Sequence, residues 1–321
     1  MENRLVSQMT HCAMDTVMTH KAFGLNAEDS LESVHREIAR IEKLLSRFLP
    51  DSEISRVNGS AGTKSEKVSR ETYDVLSDAV EFSRCLPGCF DMTIAPLVTL
   101  WRAAKESLAQ PDSSSIKQVL PLVNYRDLIL DPWEMTAGLG NVGQSVDLGG
   151  IGKGFAGDRI QEVLKGFDIS SACSNLGGHV VTLGAKPDGS LWHVGIQHPR
   201  QETGLIGSVS VVNQTLVTSG DYQRCFTDSQ GKRHHHILNP RTGYPAESKL
   251  ISVSIVSDKS LVADALSTVL FVAGMEKGLE FLKSFPQTEA ILVDDDLQVF
   301  VTQGLRYRFR ADKGIAVTIL D

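Results

Sequence analysis

Between residues 26 and 48, Leu31, Val34, Ile38, Ile41, Leu44 and Phe48 recur in steps of three and four with charged residues between them. That spacing draws one apolar stripe along an amphipathic helix, and Pro50-Asp51 ends it. Residues 52–58 read as a short turn or helical piece, and Ser69 is placed to cap a second helix that runs to about Cys85. Pro87-Gly88 then breaks the chain. Apolar stretches predict strands at 13–24, 128–130, 180–184, 192–197, 208–218 and 250–257, with a closing strand at 315–320. Helices are expected at 116–123, 261–273 and 278–284. Residues 290–293 and 298–302 read as a hairpin around Asp294-Asp295-Asp296, an acidic triplet taken as a solvated turn rather than a metal site. The chain shows no repeats, low-complexity segments or long linkers.

The stretch that organises this pattern is Val146 to Asp158, in which an acid and a lysine bracket three glycines ahead of a predicted helix. Phe155, Ile160, Val163, Leu164 and Phe167 carry the near-helical spacing, so the glycines fall at a helix N-terminus. The first N–H groups of a helix lack partners within it, and its dipole favours negative charge there. With Lys153 beside them, these glycines read either as a phosphate cradle or as a glycine-rich turn into a packed helix. The P-loop is excluded, because Gly154 and not Ser or Thr follows the lysine. Gly138 to Gly143 matches the dinucleotide fingerprint by letter, but the following residues predict no helix.

Composition narrows the classes. The 321 residues are 41% hydrophobic and 22% charged, ordinary for a globular protein with an ample core. Acids outnumber bases 39 to 32 and no basic block stands out, so nucleic acid is not an expected partner. No run of 18 apolar residues could span a bilayer, and Met1 to Thr10 lacks the apolar core of a signal peptide. The expected location is therefore the cytoplasm, or else an exported or lipid-anchored form whose leader has been removed, with no stable membrane insertion. Cys12, Cys85, Cys89, Cys173 and Cys225 are odd in number and scattered, as in a reduced protein with no zinc pattern.

Four places gather groups that do chemistry. Asp264 and Thr268 stand one helical turn apart among apolar and small neighbours. A buried carboxylate needs a partner, and a hard cation such as Mg²⁺ would supply one; the plainer reading is an acid favoured by the helix dipole. His234-His235-His236 lead into the turn Asn239-Pro240-Arg241-Thr242-Gly243. In a strand, His234 and His236 would face one way and His235 the other, so the three could not share one metal. A histidine entering such a turn is a candidate general base or simply a surface residue. Thr218 to Tyr222 collects hydroxyls and Asp221, and Phe90-Asp91 follows the bend at Pro87-Gly88.

Taken in order, these pieces resemble the ApbE family, the FAD:protein FMN transferases. The resemblance runs from Met14-Asp15-Thr16 to about Gly274 through Ser52 to Asn58, Gly88-Cys89-Phe90-Asp91 with Pro96-Leu97 and Trp101, Asp147-Leu148-Gly149-Gly150 to Lys153-Gly154, Asn175 to Gly178, Thr218 to Tyr222, His236 to Gly243 and Ala263 to Thr268. It implies a single ApbE-like domain over residues 1–321, of the α+β class, with two intertwined subdomains around one FAD site. It implies Mg²⁺ held by Asp264, Thr268 and the backbone carbonyl of Gly150. FAD, as substrate, would meet Met14, Phe48, Cys89, Phe90, Asp91, Asp147, Lys153 and Ile237. His236 would be the base, with Asp221 next in line. The implied reaction moves FMN from FAD to a Ser or Thr hydroxyl of an acceptor flavoprotein and releases AMP. Mg²⁺-dependent hydrolysis of FAD to FMN and AMP is the alternative, and a non-catalytic flavin binder a third. Four positions depart from the family pattern: Asp15 replaces a usual Gly, Phe48 a frequent Tyr, His179 a common acid, and Asn239 the usual Asp before Pro240.

Overall fold

The computed structural model describes residues 6–320; the first five residues of the Met1–Thr10 stretch, and Asp321, lie outside the described residues. Two compact units emerge, each assembled from separate stretches of chain. The first comprises Met1–Ile41, Ile151–Gly220 and Lys249–Asp321, and the second Glu42–Gly150 and Asp221–Ser248. Helices and sheets are mixed in both, as the α+β expectation requires.

The first unit is built on a nine-stranded sheet. Across it stand Val6–Ala13, Thr16–Phe23, Ser171–Leu176, Val180–Leu183, Thr215–Gly220, Leu250–Ser257, Glu289–Asp294, Val299–Thr302 and Val317–Leu320. Every neighbouring pair is antiparallel except the last. All eight residues of Leu250–Ser257 are buried, the mark of a strand covered on both faces. Ile251 and Val256 join Val194, Val209, Ile291 and Val301 in a core shared with a second, three-stranded sheet of Trp192–Gln197, Leu205–Val211 and Phe309–Ala311. The helix Ser260–Ala273 packs on Thr215–Gly220 and Leu250–Ser257, and against it lies the glycine-rich helix Gly152–Gly166.

Three strand expectations change. The strand expected at 13–24 is the second arm of a hairpin whose first arm is Val6–Ala13. That arm lies at a sheet edge with alternately exposed and half-buried residues, so no apolar rhythm marks it. Met14 and Asp15 turn the hairpin with φ of 48° and 58°, the two positive values of a type I′ turn, which explains why Gly is the easier residue at position 15. The single strand expected at 208–218 is two strands in different sheets, divided where Asn213 takes φ of 50°. Ser171–Leu176 was not foreseen, because its small and polar residues carry no strand signal even though most are buried.

His20 shows how tightly this sheet holds polar groups. It is 2% exposed, its Nδ1 lies 2.9 Å from Ser174 Oγ, and its Nε2 lies 3.0 Å from His11 Nε2. Burial first, and the neighbouring His11 and His35 second, push its pKa down to about 4. The folded value is below the unfolded one, so the unfolded chain binds the extra proton between about pH 4 and about 6.5. Stability should therefore fall on acidification through that window, by about 3 kcal/mol if His20 acts alone. Denaturant unfolding from pH 7 down to pH 4.5 should show a flatter dependence in His20→Gln; parallel curves would remove His20 from the account.

The second unit carries the helices Glu53–Gly59, Arg70–Cys85, Ala95–Glu106 and Ser113–Val119, with a small sheet of Glu66–Lys67, Leu128–Asp131 and Thr136–Leu139 and the hairpin Cys225–Thr227 with Arg233–His235. Ser52 and Ser69 cap their helices by accepting from the backbone N–H of Ser55 and Thr72. Pro96 sits in the first turn of Ala95–Glu106, where its missing N–H costs nothing. Leu97, Trp101, Ile116 and Leu238 form the core there, and the Trp101 indole N–H donates to the Gly243 carbonyl at 2.8 Å. Gly138 lies within the strand Thr136–Leu139 and no helix follows Gly143 directly, which disposes of the dinucleotide fingerprint.

Candidate functional site

In the first unit the site forms where the glycine-rich helix meets Ser260–Ala273. A Cβ on Gly154 would stand 2.7 Å from the Leu261 Cα, and one on Gly157 would stand 2.2 Å from Ser260 Oγ. These two glycines therefore permit the close approach of two helices, the packing alternative raised by the sequence. The Gly154 N–H, which lacks a helical partner at this position, donates to Asp264 Oδ2 at 2.8 Å. Asp158, one turn further on, accepts from the N–H groups of Ser260 and Leu261 and so caps the second helix from the first. The anion held at this N-terminus is thus the protein's own Asp264.

Asp264 is 4% exposed, and burial raises its pKa while Lys153 and the Gly154 N–H pull it back. Its Oδ1 faces Nδ1 of His179, 3.9 Å away. His179 is 1% exposed and is held far below the ordinary histidine range by burial first and Lys153 second, so it is neutral. The hairpin turn at Gly177 and Gly178, with φ of 65° and 95°, brings it there. Thr268 follows Asp264 by one turn on the same helix and is half-buried, as is Lys153. The donor set suits a hard cation: a buried carboxylate with one hydrogen bond to a backbone N–H, and a hydroxyl one turn away. Met14 stands at the hairpin turn of the same unit.

In the second unit, Asp147 pairs with Arg47 at 2.9 Å and accepts the Gly149 N–H at 2.7 Å, which shapes the chain towards Gly150. Arg47 also lies 4.6 Å from the ring centroid of the exposed Phe48, with Arg102 at 5.4 Å. Cys89 and Phe90 are buried. Asp91 accepts from the Thr93 N–H and hydroxyl and from the Tyr125 N–H; burial nevertheless raises its pKa. Phe90 and Asp91 line a cavity of about 370 Å³ together with Tyr125, Arg126, Pro240 and Arg241. The two arginines were missed in the sequence, because each stands alone among polar loop residues; only the fold brings them to one wall.

The histidine triplet needs correction. The strand Arg233–His235 stops before His236, so the alternation expected of three strand residues does not apply. His234 is buried, bonded to Asp228 at 2.8 Å and packed by Trp101 and Phe226. His235 is half-buried; its Nε2 meets the Ala246 carbonyl at 3.0 Å and its Nδ1 accepts the N–H of the buried Ile237. His236 is exposed, and its Nδ1 lies 3.2 Å from the Arg224 carbonyl. A carbonyl only accepts, so Nδ1 carries the proton and Nε2 is the basic nitrogen. The Asp221 carboxylate lies 3.6 Å from Arg233; burial lowers the pKa of His235, and the bond to Ala246 and the charge of Asp221 offset only part of that.

The sequence profile of the ApbE family matches residues 14–292, most of the chain. The chain belongs to the ApbE family. A Klebsiella pneumoniae protein named FAD:protein FMN transferase is 36% identical over 277 residues, 86% of this chain and 85% of that relative. A Treponema pallidum protein of the same name is 34% identical over 297 residues, 88% and 81% of the two chains. Among solved structures, the ApbE protein of Thermotoga maritima superposes with a TM-score of 0.88 at 28% identity, over 95% of this chain and all of that one. The chain is accordingly a transferase with the fold of its family. No described helix is long and apolar enough to cross a membrane.

Proposed function

We propose that this chain transfers FMN from FAD to a Ser or Thr hydroxyl of an acceptor flavoprotein, with Mg²⁺, and releases AMP. The observation that carries the reading is Asp264, a carboxylate 4% exposed whose charge is answered only in part by the Gly154 N–H and Lys153. Asp264 and Thr268, with the Gly150 carbonyl that the family resemblance adds, would hold the ion. Mg²⁺ bound there supplies a positive charge for the pyrophosphate oxygens.

In the proposed step the acceptor oxygen forms a bond to the phosphorus of the FMN half, and the anhydride P–O bond breaks. AMP departs with the bridging oxygen. His236 takes the hydroxyl proton on Nε2, the nitrogen its contact with Arg224 leaves basic. Lys153 steadies charge on the phosphate oxygens. Phe48, Cys89, Phe90, Asp91, Asp147, Ile237 and Met14 bind FAD in this reading, Asp147 being oriented by Arg47.

Incubation with FAD and Mg²⁺, with and without an acceptor flavoprotein, tests the proposal. Flavin fixed to the acceptor with equimolar AMP supports it; FMN and AMP at equal rates in both arms would replace it with hydrolysis. Lys153→Ala is expected to weaken FAD binding, and by more at low ionic strength, where attraction is less screened. Titration with FAD at two salt concentrations checks this; equal affinities would leave Lys153 no part in binding.

A further inference from the structure

Among the described residues, the strand Val6–Ala13 has a neighbour on one side only. Natural proteins guard such an edge with charges, prolines, bulges or shortness, because its unpaired main-chain groups invite another strand. This edge has none of those guards. It runs for eight residues, Val-Ser-Gln-Met-Thr-His-Cys-Ala, with no Pro, Asp, Glu, Lys or Arg, and it pairs with Thr16–Phe23 in unbroken register. The two-residue turn at Met14 and Asp15 fixes the phase of the ladder. Ala13 and Thr16 form its first hydrogen-bonded pair and every second pair follows suit, so Ser7, Met9, His11 and Ala13 bond inward. Val6, Gln8, Thr10 and Cys12 turn their N–H and C=O groups to the open side, in a row about 20 Å long. Their side chains are also the exposed ones of the strand.

We propose that this edge docks the acceptor flavoprotein, which lays an extended segment along Val6–Ala13 as a tenth strand of the sheet, close in sequence to the hydroxyl that receives FMN. This rests on the transfer reading above, in which Met14 meets the flavin. Two features select the acceptor over a second copy of this chain. The open row ends at the turn formed by Met14 and Asp15, so a strand added to it leaves the sheet there, and the residues just beyond are delivered to the flavin. The exposed side chains are those of Gln8, Thr10 and Cys12, with Val6 the one large apolar member. A lasting homodimer seam calls for an apolar centre. Main-chain bonds over a polar row suit a partner that must leave once the flavin has been transferred.

The test reads amide hydrogen exchange residue by residue by NMR, on full-length protein with and without an acceptor flavoprotein whose target Ser or Thr is replaced by Ala. The amides of Gln8, Thr10 and Cys12 should exchange fast in the free protein and become protected on binding, while those of Ser7, Met9 and His11 are protected throughout. The outward Thr10 N–H makes Thr10→Pro compatible with the hairpin ladder. With the intact acceptor, that variant should raise the acceptor KM by about tenfold or more, the worth of one main-chain hydrogen bond, and leave FAD affinity unchanged. Thr10→Val keeps the N–H and should match the unmodified protein. No alternating protection overturns the proposal, and so does an acceptor KM indifferent to Thr10→Pro; exchange in the unmodified protein decides alone should that variant misfold. Protection that grows with the concentration of this chain alone gives the edge to a second copy and overturns it too. Flavin transfer to the intact acceptor without edge protection sinks only the docking, whereas no transfer at all sinks the function reading and the docking with it.

Discussion

Asp264→Ala should fold and bring turnover below detection, a loss on the order of 10³-fold or more. The two halves of that expectation have different causes. Removing the carboxylate strands the Gly154 N–H, a cost of about 1–3 kcal/mol. It also removes a charge that burial disfavours, which offsets part of that cost. The helix contact at Gly154 and Gly157 does not use the carboxylate and survives. Chemistry has no such compensation, because no other acid stands one turn from Thr268 on that helix. Thermal unfolding and single-turnover FMN transfer, measured on the same preparation, check both halves. A variant with full Mg²⁺-dependent activity would end the assignment.

His236→Ala should slow FMN transfer by about 10²- to 10⁴-fold and flatten the acidic limb of the pH–rate profile, while FAD affinity stays nearly constant. The side chain is exposed, and the Arg224 carbonyl that its Nδ1 meets also accepts the His236 N–H, which the variant keeps. His235 is not the silent control that a plain strand would have offered, because it pins both Ala246 and Ile237. Single-turnover transfer against pH, with FAD titrations alongside, separates the outcomes. An unchanged profile passes the role of base to Asp221; lost FAD binding makes His236 a pocket residue.

Much of this was legible because periodicity records burial. The stripe from Leu31 to Ile41 lies on the helix Ala27–Leu45, and the Ser69 cap holds where placed. Motif order also placed the chain in its family, since each glycine or acid keeps its setting along the chain. What stayed hidden depends on pairing across long stretches of sequence. Ser171–Leu176 is a strand because Thr16–Phe23 lies beside it, and no local pattern in its small residues says so. The partnership of His179 with Ser260 joins residues 81 apart. Gly154 and Gly157 read equally as cradle or as packing until the Ser260–Ala273 helix is laid against them.

The order of strands in the large sheet also bears on how the chain is made. Thr16–Phe23 leaves the ribosome early, yet its neighbour on the far side, Ser171–Leu176, is synthesised roughly 150 residues later. At about 5–20 residues per second that is a wait of about 8 to 30 seconds. A lone two-stranded hairpin is at best marginally stable in water, and its open edge is a template for wrong pairing. The other rim, Val317–Leu320, is the last of the nine strands to be made. Nascent chains should therefore be most prone to aggregate, and most dependent on chaperones, while residues 24–170 are being translated.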